Sequence, residues 1–354
     1  MTNWKTYRLG DITIMRNGKK RPNTQGTYPV YGGNGIMDYT DCYNAENTII
    51  VGRVGAYCGN VYQCKNKCWV SDNAISVSAN ELVDDNYLYY LMSSLDFHHH
   101  HIGGAQPLIT QDIIGGFEIF LPPLEEQRKI AGILGAIDDK IENNRRINTN
   151  LELQAQALYK QWFVDCSIVK LGDVIKTTSG GTPSRSHMEF YAGKYGWVKS
   201  KELNGSFITN TEESITDDAI AKSAAKLLPA KSILIAMYGA TVGQYAILSQ
   251  PMTCNQAVCA LLPNENYPYT YLFMVAKNIK EELANKAIGS AQQNISQVII
   301  KDIDISSDIE KIKQFHKIVC PHFEVMEKNQ KENETLATLR DTLLPKLMNG
   351  EVKL

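Results

Sequence analysis

Residues 121–162 read LPPLEEQRKIAGILGAIDDKIENNRRINTNLELQAQALYKQW, and this stretch decides the fold. Apolar or small side chains recur there in alternating steps of four and three, which predicts one long helix with a coiled-coil seam. Two asparagines interrupt the seam near its middle, and a buried asparagine in a seam lowers stability but fixes register. The predicted seam positions are Ile130, Leu134, Ile137, Ile141, Asn144, Asn148, Leu151, Ala155, Leu158 and Trp162.

A second helix of the same plan closes the chain. Its centre also carries two asparagines, so antiparallel packing of the two helices would bring the asparagine pairs together near their midpoints. We expect that arrangement; the alternative is two unrelated amphipathic helices, each covering its own domain. The predicted seam of the second helix consists of Phe315, Val319, His322, Met326, Asn329, Asn333, Leu336, Leu343 and Leu347.

The sequences of the two halves of the chain repeat each other, and each globular part is followed in sequence by one of the long helices. The matched segments are residues 8–11 (RLGD) with 170–173 (KLGD), 49–56 (IIVGRVGA) with 233–240 (ILIAMYGA), and 102–106 (IGGAQ) with 288–292 (IGSAQ). The predicted domains are residues 1–121 and 167–308, both globular, and the helices 122–166 and 309–354. Because the chain stops where a third copy would begin, we expect an α+β fold, circularly arranged about a pseudo-twofold axis, in which the helices form an antiparallel coiled coil.

The composition is that of a globular protein of ordinary hydrophobicity. The chain has 354 residues, of which 44% are hydrophobic and 21% charged, and this length suits two domains. It contains no apolar run of about 18 residues and no apolar signal region, so we expect a cytoplasmic protein with no membrane association. The eight cysteines are scattered and should be reduced in that compartment. A zinc site at Cys64 and Cys68 is the alternative to buried thiols.

Motifs of common enzyme classes are absent from the sequence. It contains no P-loop, no GxSxG elbow, no HExxH pair and no kinase signature. The one cluster of potential metal ligands is residues 98–101, four consecutive histidines, which cannot all reach one ion without outside ligands such as Asp96 or Asp112. A metal-dependent enzyme using these histidines is one alternative reading, and a protein–protein adaptor is another.

The loops carry side chains that suit contacts to duplex DNA. The net charge of −2 does not indicate a nucleic-acid binder, but a local positive face is sufficient. Lysine and arginine neutralise phosphates, an arginine can bind guanine through two hydrogen bonds, and asparagine or glutamine can bind adenine. For any single residue, a solvated loop is the alternative. Candidates in the first domain are Arg16, Lys19, Lys20, Arg21, Asn34, Arg53, Gln106 and Gln111. Candidates in the second are Arg185, Lys199, Lys201, Tyr238, Gln244, Asn255, Gln256, Gln292 and Asn294.

Three segments resemble the conserved helices of the specificity (S) subunits of type I restriction–modification systems. They are residues 121–130 (LPPLEEQRKI), 157–165 (ALYKQWFVD) and 339–351 (LRDTLLPKLMNGE). Together with the repeat, the resemblance covers the whole chain. The second copy departs from the family pattern at its start. Residues 306–310 (SSDIE) stand where LPPLEEQR would be repeated, so the resemblance does not define the docking surface of the second helix.

The resemblance implies a DNA-recognition subunit without catalysis of its own. Each globular domain would read one half of a split duplex site, and the helix pair would set the gap between the halves. Two methylation (M) subunits would dock on the helices, around the seam residues, and methylate adenine with S-adenosylmethionine after flipping the base out. Restriction (R) subunits, which use ATP and magnesium, would join a larger complex. This chain itself would hold no cofactor and no metal.

Overall fold

The computed structural model divides the chain into two compact units. The first comprises Met1–Ile141 with Thr335–Leu354, and the second comprises Glu142–Glu334. The boundary crosses both long helices, so each unit holds a globular part and a stretch of each helix. The residues that the structure describes are 4–103, 106–164, 166–287 and 294–352.

The first unit is built around a six-stranded sheet. Its elements, together with the helix that follows, are β1 (Lys5–Arg8), α1 (Leu9–Ile12), β2 (Thr13–Asn17), β3 (Tyr28–Gly32), β4 (Gly35–Thr40), β5 (Ala45–Gly52), β6 (Val61–Val70), β7 (Ala74–Ala79), α2 (Asp85–Ser94), α3 (Gln111–Gly115), β8 (Glu118–Leu121) and α4 (Leu124–Trp162). The sheet order is β2-β7-β5-β6-β3-β4, with β3 parallel to β6 and the other neighbours antiparallel. β1 pairs with β8 just before α4 begins.

The second unit repeats this order with a divided sheet. Its elements are β9 (Ile168–Lys170), α5 (Leu171–Val174), β10 (Lys176–Ser179), β11 (Tyr191–Val198), β12 (Phe207–Ile208), β13 (Ser214–Ile215), α6 (Asp217–Lys222), β14 (Ile233–Ala236), β15 (Tyr245–Leu248), β16 (Thr253–Cys254), β17 (Val258–Leu262), α7 (Tyr269–Ala287), α8 (Gln297–Lys301), β18 (Asp304–Ser306) and α9 (Ile309–Met348). The sheets are ordered β10-β17-β14-β15-β12 and β13-β11-β16, and β18 pairs with β9 as β8 pairs with β1. The α+β class, the repeat and the two long helices are confirmed.

The start of α4 is anchored by one buried amide. The Gln127 side chain is fully buried. Its Nε2 donates to the carbonyl oxygens of Leu82 (3.1 Å) and Pro122 (2.8 Å). Its Oε1 accepts from the Asp84 backbone N–H at 2.8 Å. Because buried backbone groups need partners, this glutamine holds the helix against the loop before α2.

The end of the chain packs into the core of the first unit. Leu347 and Met348 of α9 are buried in the cluster that contains Leu9 and Leu134, and Val352 packs against its edge. Residues near the C-terminus therefore lie close to Leu9, as the circular arrangement of the repeat requires.

The two long helices pair antiparallel within each unit. In the second unit, Asn144 Nδ2 donates to Asn333 Oδ1 at 2.9 Å, and Asn329 Nδ2 donates to Asn148 Oδ1 at 2.8 Å. The predicted meeting of the two asparagine pairs is confirmed. In the first unit, Arg340 Nη1 of α9 binds Asp138 Oδ1 of α4 at 2.8 Å, and Tyr90 OH donates to Asp138 Oδ2 at 2.7 Å.

Two local predictions are wrong. Residues 69–77 (WVSDNAISV) are predicted from their sequence to form one strand, but β6 ends and β7 begins within them, and a turn closes between Ala74 N and Ser71 O at 3.0 Å. His322 was placed in the helix seam, but it is only half-buried and Phe323 is fully buried instead. The Phe323 ring packs against Tyr269 and Phe273 of α7. Here the helix faces its own globular domain as well as its partner helix, which shifts the apolar stripe by one position.

Glu327 joins α9 to the globular part of the second unit. Its carboxylate is 13% exposed. The hydrogen-bond donors are the Lys231 ammonium, the Ser249 hydroxyl at 2.5 Å and the Lys331 ammonium at 3.0 Å. Burial acts to raise the pKa of Glu327, but these hydrogen bonds outweigh burial and hold the pKa below its ordinary value of 4.5. The carboxylate is therefore ionised in the folded protein at neutral pH.

The asparagine pairing predicts a recoverable loss of stability. Asn144→Leu leaves the Asn333 amide buried without its partner, which should reduce the free energy of unfolding by about 1–3 kcal/mol. Adding Asn333→Leu restores an apolar contact and should recover most of that loss. Urea unfolding of both single variants and the double variant measures the coupling. Asn150→Leu, at an exposed position of the same helix, is the control. Losses that add up in the double variant would contradict the pairing.

The Glu327 cluster predicts a pH-dependent stability difference. Glu327→Gln removes the charge that both lysines bind, so it should destabilise the protein by about 1–3 kcal/mol at pH 7. The folded pKa is depressed, so the contribution of the carboxylate is present above the unfolded pKa and is lost as pH falls through the folded value. The difference between parent and variant should therefore shrink below pH of about 4. Glu281→Gln, at an exposed position of α7, should show no such convergence.

Candidate nucleic-acid interface

The loops at one end of the six-stranded sheet are held together by backbone hydrogen bonds. The four that define this end are Gly18 N to Ala74 O (3.0 Å), Ser71 N to Tyr31 O (2.9 Å), Arg53 N to Asn73 O (2.9 Å) and Ile109 N to Arg53 O (2.9 Å). They bring together residues 17–20, 32–34, 53–54, 71–73 and 106–109. We call this surface the loop face of the first unit. Residues far apart in the sequence become neighbours there.

Two glycines permit this close approach. A Cβ on Gly18 would lie 1.9 Å from the Ser71 carbonyl oxygen. A Cβ on Gly52 would lie 2.4 Å from the Tyr57 oxygen and 2.7 Å from the Gly33 oxygen. No side chain fits at either position, so the hairpin turn after β3 lies directly against the end of β5.

The basic segment runs along the edge of the loop face. Arg16 lies on β2, opposite Ser76 of β7, and Lys19 and Lys20 follow the end of that strand. All three side chains are exposed, and none forms an ion pair with any residue that the structure describes. Arg21 differs, because its guanidinium binds Asp38 of β4 at 2.6 Å. Three unneutralised cations therefore remain for an external anion such as a phosphate.

Arg53 is the most constrained of the predicted contact residues. Its backbone N–H and carbonyl both serve the loop face, and the Cys58 thiol also donates to the carbonyl at 3.3 Å. The side chain is half-buried, and its Nε is buried without a hydrogen-bond partner. A buried donor without a partner is costly and is uncommon in folded proteins. The Arg53 side chain is therefore partly withdrawn from solvent and keeps unused hydrogen-bonding capacity.

The remaining candidates of the first unit lie on the same face but differ in the exposure and hydrogen bonding of their side chains. Asn34 is exposed in the β3–β4 turn, and Gln106 is exposed next to Pro107, whose carbonyl oxygen accepts from Gly55 N at 3.0 Å. Gln111 is half-buried, and its Nε2 donates to Asn17 Oδ1 at 3.0 Å. Asn34 and Gln106 are thus free to bind a ligand, whereas the Gln111 amide already supports the end of β2.

The second unit contains the same set of backbone hydrogen bonds. They are Gly180 N to Val258 O (3.4 Å), Asn255 N to Val198 O (2.9 Å), Met237 N to Ala257 O (2.8 Å) and Ile295 N to Met237 O (2.9 Å). Each corresponds to one of the four bonds of the first unit. We call the surface they form, residues 180–182, 199–201, 237–238, 255–257 and 294–295, the loop face of the second unit. Its frame is therefore a copy of the first.

The side chains carried by the two frames are different. The position of Arg53 is taken by Met237, which is buried, and the position of Val54 is taken by Tyr238, which is exposed. Val54 pairs with Leu108 as Tyr238 pairs with Asn294, so the backbone match is retained. A guanidinium in one unit and a phenol in the other would contact different groups of a ligand.

The basic residues of the second loop face are paired with carboxylates. Lys199 binds Glu213 and also lies 3.5 Å from Glu212, while Lys201 binds Glu212 at 2.7 Å. The hydrogen bond from Lys199 lowers the pKa of Glu213, and the same bond raises the pKa of Lys199. Arg185 binds Glu213 at 2.7 Å. The cluster of three cations and two carboxylates is therefore much less positive than the basic segment of the first unit.

The other candidates of the second unit are divided between exposed and structural positions. The Asn255 side chain accepts a hydrogen bond from Ala257 N at 3.2 Å and so closes its own turn. Gln256 is exposed and accepts from the Thr182 hydroxyl. Gln244 is half-buried, and its backbone carbonyl accepts from Ala236 N. Gln292 lies outside the described residues.

The histidine and cysteine clusters have structural partners. Nδ1 of His98 contacts the Cys58 carbonyl at 3.0 Å, and Nδ1 of His99 contacts the Asp96 carboxylate at 2.6 Å. Cys64 and Cys68 are buried on β6, where the hydrogen bond between the two thiols lowers the pKa of Cys64 and raises the pKa of Cys68. Across residues 4–103, 106–164, 166–287 and 294–352, no three His, Cys, Asp or Glu side chains form a group that could hold a metal ion.

The seam residues of the two helices lie mostly inside each unit. Buried ones are Ile130, Leu134, Ile137, Ile141, Asn144, Ala155, Phe315, Val319, Met326, Asn329, Asn333 and Leu347. Half-buried ones are Asn148, Leu151, Leu158, Trp162, Leu336 and Leu343. The sequence pattern missed Gln127 and Tyr159, which are also buried. Buried seam residues stabilise helix pairing and are not accessible to a partner protein.

None of the helices in the described ranges combines the length and apolarity needed to cross a bilayer.

The sequence matches a known family twice. The family is described as the type I restriction modification DNA specificity domain, and the matches cover residues 1–153 and 164–314. The chain belongs to this family. As a specificity subunit it is a DNA-recognition component of a type I system and has no catalytic activity of its own.

Specificity subunits from several organisms resemble the chain over most of its length. It is 28% identical to the type I restriction enzyme HindI specificity subunit of Haemophilus influenzae, over 70% of this chain and 72% of that one. It is 26% identical to the MjaIX specificity subunit of Methanocaldococcus jannaschii, over 83% of this chain and 75% of that one. The crystal structure of the type I S subunit from M. genitalium has the same fold, with a TM-score of 0.66 at 18% identity, covering 98% of this chain and 96% of that one.

The charge difference between the loop faces predicts opposite effects on DNA affinity. Replacing Lys19 and Lys20 with alanine should reduce the slope of log affinity against log salt by about 1 for each phosphate that is no longer neutralised. Replacing Glu212 and Glu213 with glutamine should steepen the slope, because it releases cations that the carboxylates now neutralise. Titration of a generic duplex at several salt concentrations measures both. An unchanged slope after the glutamate replacements would place that cluster away from the DNA.

Proposed function

We propose that this specificity subunit recognises a split DNA site through two target-recognition domains, residues 1–121 and 167–308. The observation that carries the proposal is the backbone frame that occurs twice with different side chains. A repeated frame gives two readers of the same geometry, and different side chains give them different targets. The helices of residues 122–166 and 309–354 join the readers, so the number of unread base pairs between the half-sites should be fixed.

In the first domain, the loop face supplies both kinds of contact that specific DNA binding needs. Arg16, Lys19 and Lys20 are exposed cations that suit phosphates, which position the protein but carry no sequence information. Arg53 is half-buried on the same face, and an arginine guanidinium suits the O6 and N7 acceptors of guanine in the major groove. Asn34 and Gln106 are exposed amides on the same face and suit adenine.

The outer faces of the long helices suit the docking of partner subunits. The seam residues are turned inward, so docking falls to apolar side chains that remain exposed. These are Leu124, Ile133, Ile147, Leu153, Ile318, Val325 and Leu339. Exposed apolar side chains on the outer surface of paired helices are typical of an interface with another protein. The partners would be two methylation subunits that hold S-adenosylmethionine, joined by restriction subunits that use ATP and magnesium.

Mapping methylation in a host genome tests the proposal. We expect that co-expression with the neighbouring methylation subunit produces methylated adenines in a single split motif with a fixed gap, read by single-molecule sequencing. Arg53→Ala should relax one guanine position in one half-site, with a loss of discrimination of about 1–3 kcal/mol, and leave the other half unchanged. Arg146→Ala, on an exposed stretch of α4, should leave both halves unchanged. A stable complex that methylates no split motif would count against the proposal.

A further inference from the structure

The tip of the β3–β4 hairpin exposes two adjacent apolar side chains. Ile36 is 50% exposed and Met37 is 52% exposed. They follow the Gly33-Asn34 turn on β4, which is the edge strand of the six-stranded sheet. Solvent-exposed edge strands are usually protected by charged side chains, so an apolar pair at the end of such a strand points to a binding role.

Backbone contacts place Ile36 next to the loop face of the first unit. Ile36 lies opposite Tyr31, whose carbonyl oxygen accepts the Ser71 N–H that helps to define that face. Gly33, in the turn of the same hairpin, approaches the Val54 carbonyl, with only 3.4 Å left for a Cβ. The hairpin that carries Ile36 therefore lies against the segment that carries Arg53. No core cluster of the described residues includes Ile36.

The charge around the apolar pair favours DNA as its occupant. Arg21, at the end of the basic segment, binds Asp38 on the same strand as Ile36, at 2.6 Å. Lys19 and Lys20 precede it with exposed ammonium groups. An apolar protein surface would leave these cations unsatisfied, whereas duplex DNA offers phosphates to the cations and an apolar group in its major groove. That group is the C5 methyl of thymine.

We infer that the exposed side chain of Ile36 reads a thymine methyl group in the half-site of the first domain. This inference rests on the proposed function and adds an apolar contact to the polar ones. A half-site in which adenine is methylated contains at least one thymine, the partner of that adenine. The Met37 sulfur lies over Gly32, 2.8 Å from the place of a Cβ there, so Met37 is partly held by its own hairpin. The Ile36 side chain has no such contact with Gly32 and is therefore the one assigned to the thymine methyl group.

The second domain lacks this apolar pair. β13 pairs with β11 as β4 pairs with β3, and the residues at the corresponding end of β13 are Thr211, Glu212 and Glu213. Two of these are the carboxylates that bind Lys199 and Lys201. Methyl reading should therefore be confined to one half of the site, which provides a control within the same DNA molecule.

Replacing thymine with deoxyuridine in synthetic duplexes tests the inference, because uracil differs from thymine only by the methyl group. The probe is the complex with its methylation subunits, and the duplexes carry the motif found in the genome. Uracil in the half-site of the first domain, assigned by the Arg53→Ala variant, should weaken binding about fourfold for each contacted methyl. Uracil in the other half-site should have no comparable effect.

Ile36→Ser should abolish the difference between thymine and uracil and leave the protein folded, since the side chain is exposed. Ile14→Ser is the matched control: Ile14 is 51% exposed on β2, the opposite edge strand, and precedes the loop face in the chain. It should keep the full difference. A parent complex that binds both duplexes equally, or an Ile36→Ser complex that still distinguishes them, overturns the inference alone. A parent complex that recognises no split site overturns the proposed function as well.

Discussion

The paired amides of Asn144 with Asn333 and of Asn148 with Asn329 determine which turn of one long helix faces which turn of the other. An aliphatic seam tolerates a shift along the helices, but a shift here would bury amide groups without partners. The register in turn places Glu334 of α9 beside Thr209, as it places Glu327 beside Ser249. Helix register and the seating of the second globular domain on its helix are thus parts of one arrangement.

A second constraint acts inside each globular domain. The loops that would meet DNA are joined by bonds between peptide groups, and glycines at positions 18 and 52 allow the backbones to touch. The same bonds in the second unit support Met237 where the first has Arg53. Backbone groups therefore fix the conformation of the loops, and the side chains of the same residues are left to contact the ligand. Gln111 and Asn255 are exceptions, because their side chains also serve the scaffold.

Periodic features could be read from the sequence, and contacts between distant residues could not. The helix seam and the meeting of the asparagines follow from spacing, because spacing determines which face of a helix is buried. The tandem repeat follows from the matched segments of the two halves. His322 was preferred to Phe323 because only the partner helix was considered, whereas α7 also packs there. The pairing of Lys199 with Glu213, and of Arg185 with the same carboxylate, depends on a strand pairing that no local pattern encodes. Gln127 was visible only as part of a family motif, without its three hydrogen bonds to show why it stands there.

The loop frame, which backbone hydrogen bonds hold together, also affects how the sequence of such a protein can change during evolution. A substitution at Arg53, Asn34 or Ile36 removes no bond of the frame, so selection for folding places little restriction on these positions. The two copies can drift apart in side chains while retaining the same backbone, as Arg53 and Met237 already show. New side-chain chemistry can then arise in one domain at a time, while the backbone frame of both domains is retained.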